Sequence, residues 1–96
     1  MPTYEALPRF TTDLHHLTPD QRRRFRRTVI RAFVPDLRSG HFRSGLRIKR
    51  VRCAPGVYEL TWSGGGRATW SYGTERIRGA HIVWRRIGGH DIFTSP

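Results

Sequence analysis

Hydrophobic positions along this chain follow two different periods, and the change between them divides it into two parts. In the first part Phe10, Leu14 and Leu17 recur at helical spacing, and Thr11, Thr12 and Asp13 offer side chains that cap or begin a short helix. Ahead of it, Tyr4 and Leu7 in the mixed stretch 2–7 suit an edge strand or an extended lead-in. Thr18-Pro19-Asp20-Gln21 is a stronger start signal. Threonine caps, proline takes the first helical position, where its missing N–H costs nothing, and Gln21 completes a capping box. The helix it opens is expected to run to about Phe33 and to end at Pro35. Phe25, Val29, Ala32 and Phe33 form its apolar face, and Arg22, Arg23, Arg24, Arg26, Arg27 and Arg31 cover the rest as a solvated face. Two helices and a short turn make an αα-hairpin.

A loop is expected from Asp36 to Gly45, and beyond it the period becomes two. In LRIKRVR (46–52) Leu46 and Ile48 face one way and Arg47 and Lys49 the other, with a slip at Arg50-Val51 that suggests a bulge. Pro55-Gly56 makes a turn. Val57–Trp62 reads as a strand with Tyr58, Leu60 and Trp62 on one face, and Gly64-Gly65-Gly66 as a hairpin turn. Ala68–Tyr72 returns with Ala68, Trp70 and Tyr72 inward, and a polar loop across 73–80 leads to a last strand, Ile82–Ile87. The order predicts an α+β fold, an N-terminal αα-hairpin packed on one face of a small, mainly antiparallel sheet of four to five strands. No repeat or linker divides the 96 residues, so a single domain over 1–96 is expected.

Composition adds a partner class. Lys and Arg total 18 against 7 Asp and Glu, a net charge of +11, and all but one of the basic residues are arginine. That is the electrostatic footprint of a partner rich in phosphate or carboxylate, which guanidinium forks grip bidentately. Arginine-favouring codons account for the bias equally well. No window is long and apolar enough for a transmembrane helix, and MPTYEALPRF lacks the basic and apolar regions of a signal peptide, so a cytoplasmic protein without a membrane partner is expected. One cysteine, Cys53, excludes an internal disulfide framework and multi-cysteine zinc, and the better reading of it is structural.

Most catalytic chemistries lack their parts here. There is no HExxH, paired CxxC, P-loop, GxSxG or GxGxxG, the five histidines are scattered, and the carboxylates are not paired, so neither a metal nor a cofactor is expected. The adjacent His15 and His16 point about 100° apart on a helix and do not suit one metal. What remains is the ending, HIVWRRIGGHDIF (81–93): an apolar strand, two arginines, a glycine pair, then His90, Asp91 and Phe93. RNA is cut without metal when its own 2′-hydroxyl attacks the adjacent phosphate, which needs a base, an acid and cations for the growing phosphorane charge. His90 suits the proton work and Arg85 or Arg86 the charge, although strand alternation sends only one of these two to any given face. Arg47 and Lys49, with Arg50 next to them, complete a cationic wall, and Phe93 is placed to stack on a base. Against this stand plainer roles: a structural hydrogen bond for His90, core packing for Phe93 and Trp84, and a structural place for His81.

The helical hairpin, the basic strand, GVYELTW, GRATWSYG and then HIVWRRIGGHDIF resemble, in that order and over essentially the whole chain, the RelE/ParE superfamily of bacterial toxins. The ending is closest in style to YafQ-like members, which carry a histidine and a phenylalanine there, although His90 and Phe93 stand one residue closer together. The resemblance implies a toxin of a toxin–antitoxin pair, for most members a ribosome-dependent mRNA endonuclease. It implies His90 as general base or acid, Arg85 or Arg86 in the transition-state role, Arg47 and Lys49 on the mRNA backbone, and Phe93 as the terminal aromatic. Partners implied are mRNA, the ribosome and an antitoxin whose acidic segments cover the basic helices. Two alternatives stay open: a ParE-like inhibitor of gyrase without nuclease chemistry, and a basic nucleic-acid-binding module without catalysis.

Overall fold

Strand pairing in this protein does not follow sequence order throughout. The computed structural model describes residues 3–74 and 80–96. It has five strands, β1 (Thr3–Ala6), β2 (Lys49–Arg50), β3 (Val57–Thr61), β4 (Arg67–Tyr72) and β5 (His81–Gly88), in the spatial order β1-β5-β4-β3-β2. Strands β2 to β5 form the expected antiparallel meander. The lead-in is an edge strand, and it lies parallel to β5, with Thr3 opposite His81 and Ala6 opposite Trp84. His81 secures that edge: its Nδ1 lies 2.7 Å from Thr3 Oγ1 and its Nε2 lies 3.3 Å from Glu5 Oε1. The loop expected across 73–80 falls mostly on residues 75–79, which lie outside the described residues.

Helix α1 (Pro8–His16) begins earlier than expected, with Pro8 in its first turn and Leu7 as an N-cap without a side-chain bond. Asp13 therefore sits in the body of the helix rather than at its start. Helix α2 (Pro19–Thr28) carries the capping box in full: Thr18 Oγ1 accepts from the Gln21 N–H at 3.2 Å, and Gln21 Oε1 accepts from the Thr18 N–H at 2.8 Å. Of the arginines read as a solvated face, Arg22 departs. Its Nη1 donates to the Leu17 and Leu14 carbonyls at 2.7 and 3.3 Å, closing the end of α1.

Pro35 does not end the helix. Residues Val29–Phe33 form a π turn in which the Val34 N–H reaches the Val29 carbonyl, and α3 (Val34–Ser39) continues beyond it. The wider turn relieves the clash a proline ring makes with a carbonyl in an uninterrupted α-helix. Pro35 then falls in the first turn of α3, where its missing N–H costs little. Gly40, at φ +79°, ends the helix in the left-handed conformation that favours glycine. The expected loop 36–45 is thus helical over its first residues, and Ser44–Leu46 is a short 3-10 turn.

One core joins the helices to the sheet. Phe10, Phe25 and Phe33 meet Leu60, Trp62, Ala68, Trp70, Ile82, Trp84 and Ile87, all buried. Phe33 stands edge-on to Trp70 at 5.1 Å, and Phe25 edge-on to Trp84 at 5.3 Å, geometries that aromatic quadrupoles favour.

Candidate nucleic-acid interface

Residues paired directly across strands share a face of the sheet. Lys49 lies opposite Glu59, Glu59 opposite Thr69, and Thr69 opposite Arg86. The adjacent rung, Leu60–Ala68–Ile87, belongs to the core under the helices. The Lys49–Arg86 rung therefore looks away from the helices, as does the next but one, Thr61–Arg67–Gly88. Three strand spacings separate the ends of the Lys49 rung, about 14 Å.

The C-terminal segment lies on this far face. A Cβ at Gly88 would meet Ile92 Cγ2 at 3.0 Å, and Ile92 is 2% exposed. Glycine at 88 thus lets Ile92 press onto the sheet, where Val51 and Val57 are also buried, outside the main core. Ile92 anchors the 3-10 turn His90–Thr94 and leaves His90 exposed, its ring edge-on to half-buried Phe93 at 5.0 Å. Arg9 donates to Ser95 Oγ at 2.9 Å and Arg86 Nη1 to the Ser95 carbonyl at 3.0 Å, while Arg85 Nη2 lies 3.5 Å from the backbone oxygen of Pro96.

Arg85 and Arg86 do not follow simple alternation. Trp84 pairs with Trp70 and Arg86 with Thr69, so Arg85 is an extra residue, a bulge in β5. The inserted residue breaks the period of two, and both side chains reach backbone oxygens of the C-terminal segment. Their electrostatic states differ. Arg86 Nε and Nη2 donate to Asp13 Oδ2 and Oδ1 at 2.6 and 3.1 Å, and the same Oδ2 accepts the Ile87 N–H at 3.2 Å. Strand β1 stops at Ala6, and the Asp13 carboxylate takes the place of a strand partner along the second half of β5. Burial acts to raise the pKa of Asp13, but the Arg86 hydrogen bond, the Ile87 N–H and the positive charges of Arg86 and Arg9 outweigh it and lower it. Arg85 has no Asp or Glu side chain within ion-pair distance among the described residues, and its buried Nε has no acceptor there.

The expected cationic wall is divided. Lys49 lies on the far face with Arg86. Arg50 pairs with Tyr58, whose ring stacks on Trp70 at 4.9 Å, so it belongs to the helix side at the sheet edge. Arg47 is not in a strand: it follows the 3-10 turn at φ +49°, a conformation that takes it out of the Lys49 register. Only Lys49 and Arg50 of the stretch 46–52 form strand β2. Leu46, from the 3-10 turn, and Ile48 pack in the core as expected. The expected slip at Arg50-Val51 is absent: the pairing of Lys49 with Glu59 and Arg50 with Tyr58 runs on to a Val51 N–H bond to the Val57 carbonyl at 2.8 Å, which leaves Val51 on the far face with Lys49.

Three residues of this face carried no sequence signal for it. Asp13 lies 73 positions from Arg86, Arg9 lies 86 from Ser95, and Glu59 joins Lys49 only through strand register. Among the described residues no group of three or more His, Cys, Asp or Glu could hold a metal ion. His15, His16 and His41 are exposed, as is Cys53, whose Sγ lies 3.9 Å from the Phe93 carbonyl. No described helix is long and apolar enough to cross a membrane.

The architecture has solved counterparts. One chain of the E. coli DinJ–YafQ complex superposes with a TM-score of 0.62 at 9% identity, covering 95% of this chain and 96% of that one. A chain of the RelBE2 toxin–antitoxin complex of Mycobacterium tuberculosis gives 0.59 at 19% identity, with 92% and 96% covered. A chain of the RelB–RelE antitoxin–toxin complex of Methanococcus jannaschii gives 0.59 at 16% identity, with 93% of each covered. The fold is RelE-like. No family model and no curated protein matches the chain. Within this RelE-like fold the helical hairpin covers one face of the sheet, and the far face carries Lys49, Glu59, Arg86 and the turn bearing His90.

Proposed function

We propose that the chain is the toxin of a toxin–antitoxin pair and cuts mRNA on translating ribosomes, without a metal, by attack of the RNA 2′-hydroxyl. One observation carries this reading. The face opposite the helices bears a strand-borne cation, Lys49, and an exposed histidine on a turn that Ile92 anchors. The partner class is supported by the solved counterparts, which are complexes of antitoxin with toxin.

In the proposed reaction the 2′-oxygen bonds to phosphorus, the P–O5′ bond breaks, and the products are a 2′,3′-cyclic phosphate and a 5′-hydroxyl. His90 carries one of the two protons, from the attacking 2′-hydroxyl or to the departing 5′-oxygen, since an imidazole can take up or release a proton at its ring nitrogens. Glu59, a carboxylate on the same face, is the second group able to carry a proton. Of the two arginines, Arg85 is the one left to meet phosphorane charge, because Asp13 already compensates Arg86. Arg86 is then a positioning residue that ties β5 and the C-terminal segment to α1. Lys49 contacts the backbone, and Phe93, against His90, offers an aromatic face to a base. Arg47 and Arg50, which point elsewhere, serve binding outside this face.

The test is to express wild type and His90→Ala under tight control and map mRNA 5′ ends on translating ribosomes. Cleavage at defined codon positions, reduced about 10²- to 10⁴-fold by the substitution, is expected for a proton carrier. Growth arrest by both proteins with intact mRNA overturns this reading and points to gyrase. Intact mRNA with no arrest by either leaves a binding module.

A further inference from the structure

A cavity of about 520 Å³ opens at the hairpin end of the sheet, between α2 with its π turn, the 3-10 turn after α3, and the β3–β4 turn. None of His90, Arg85, Arg86 or Phe93 lines it. Three arginines, Arg43, Arg47 and Arg67, are among the residues that line it, together with the apolar Ala32, Leu46 and Trp62. The three arginines are not equivalent. Arg43 grips Asp36 in a fork, Nε to Oδ2 at 2.8 Å and Nη2 to Oδ1 at 2.9 Å, and that pair is neutral. Arg67 Nη1 donates to the carbonyls of the hairpin turn, at 3.0 Å to Gly66, which ties down the group but leaves its charge uncompensated. Arg47 is exposed and has no carboxylate within ion-pair distance among the described residues. Its left-handed backbone keeps it at this wall instead of in strand β2. Trp62, 6% exposed, also lines the cavity, and its indole N–H is buried with no acceptor among the described residues, so its resonance reports on this wall.

We propose that this cavity is a second anion site, a socket for an acidic side chain of a partner polypeptide. For the class of partner this rests on the reading of the chain as one half of a toxin–antitoxin pair, but not on nuclease chemistry. Three features favour a carboxylate on a polypeptide over a nucleic-acid phosphate. The apolar part accepts the methylene stem of a glutamate, which a phosphate backbone does not carry. Arg43, a lining residue, already holds a carboxylate in a fork, that of Asp36, which does not itself line the cavity. Thr28 and Ala32, which line the cavity, sit on the arginine-bearing helix, with Arg24 and Arg31 at helical spacing from Thr28. A peptide anchored in the socket thus runs directly onto a cationic surface that steers and holds it.

Indole N–H signals of the isotope-labelled full chain test this, with Trp62 assigned by through-bond correlation. The probe is a capped twelve-residue peptide repeating Leu-Glu-Glu, compared with its Leu-Gln-Gln counterpart and with a twelve-nucleotide oligouridylate. The glutamate peptide is expected to shift the Trp62 signal, and Arg47→Gln to weaken that binding by about tenfold or more, against about threefold or less for Arg23→Gln on the exposed helix face. Arg67→Gln is expected to act in the same direction. Because Arg67 also holds the hairpin, Arg47→Gln, at an exposed position, carries the decision. Peptide binding with the Trp62 signal unmoved overturns the proposal, as does equal binding of the glutamine peptide. A Trp62 shift with oligouridylate and none with the glutamate peptide overturns it in favour of RNA. Cleavage is not read in this experiment, so the nuclease reading stands or falls separately.

Discussion

The two faces of the sheet use the same strands for opposite ends. On the helix face, Trp62, Trp70 and Trp84 meet Phe10, Phe25 and Phe33, and polar groups are few. On the far face, Val51, Val57 and Ile92 are buried outside the main core, and Lys49, Glu59, Thr69 and Arg86 share one rung across four strands. Side chains alternate along every strand, so one stretch such as Val57–Thr61 serves both faces at once. The lesson is a division of labour. Aromatic packing on one face supplies the stability that lets the other carry charges which do not pack.

Removing a ring from the helix face should have the largest effect. Phe33→Ala deletes a side chain that is 1% exposed and touches Trp70 and Trp84, and it should cost about 3–5 kcal/mol of unfolding free energy in urea titrations. A loss below about 1 kcal/mol would mean that the core does not rest on this contact. Next comes the clamp at the margin between the faces. Asp13→Asn leaves Arg86, 17% exposed, without its counter-charge, and should cost about 2–3 kcal/mol. The same substitution should leave Arg85 unaffected, which separates the positioning arginine from the one proposed to meet phosphate.

Acid should erode stability through two carboxylates. Hydrogen bonds from the Arg43 side chain and N–H hold Asp36 well below the ordinary carboxylate range, at about 2. Asp13 is lowered as well. A group whose pKa is lower in the folded state stabilises above its unfolded value, and that contribution is lost as pH falls through the folded one. Melting temperature should therefore drop between about pH 4 and pH 2, and Asp36→Asn should flatten part of that slope. The smallest effect on stability belongs to His90, exposed on its turn. His90→Ala should change unfolding free energy by less than about 0.5 kcal/mol while lowering the proposed cleavage, and a larger loss would make the histidine a packing residue.

Much of the helix face was legible in the sequence. Capping box, helical spacing and strand alternation are local signals, and they located Phe10, Phe25, Phe33, Leu60, Trp70 and Trp84 in the elements where they are found. The far face was harder to read. The bulge at Arg85 depends on register against β4, the Asp13–Arg86 clamp joins positions 73 apart, and the turn at Arg47 hides inside an alternating pattern. Pro35 misled because the rule that proline ends a helix assumes an α register, and the preceding π turn changes that register.

By itself the sequence determined which residues prefer helix or strand, which side of each faces the core, and that the surface is strongly cationic. Those properties follow from backbone periodicity and side-chain chemistry, which act over a few residues. Only the tertiary structure decided which cations share a face, which arginine a carboxylate neutralises and where the C-terminal turn sets His90. Those depend on register between strands and on contacts far apart in the chain, where one inserted residue redirects a side chain and local preference says nothing.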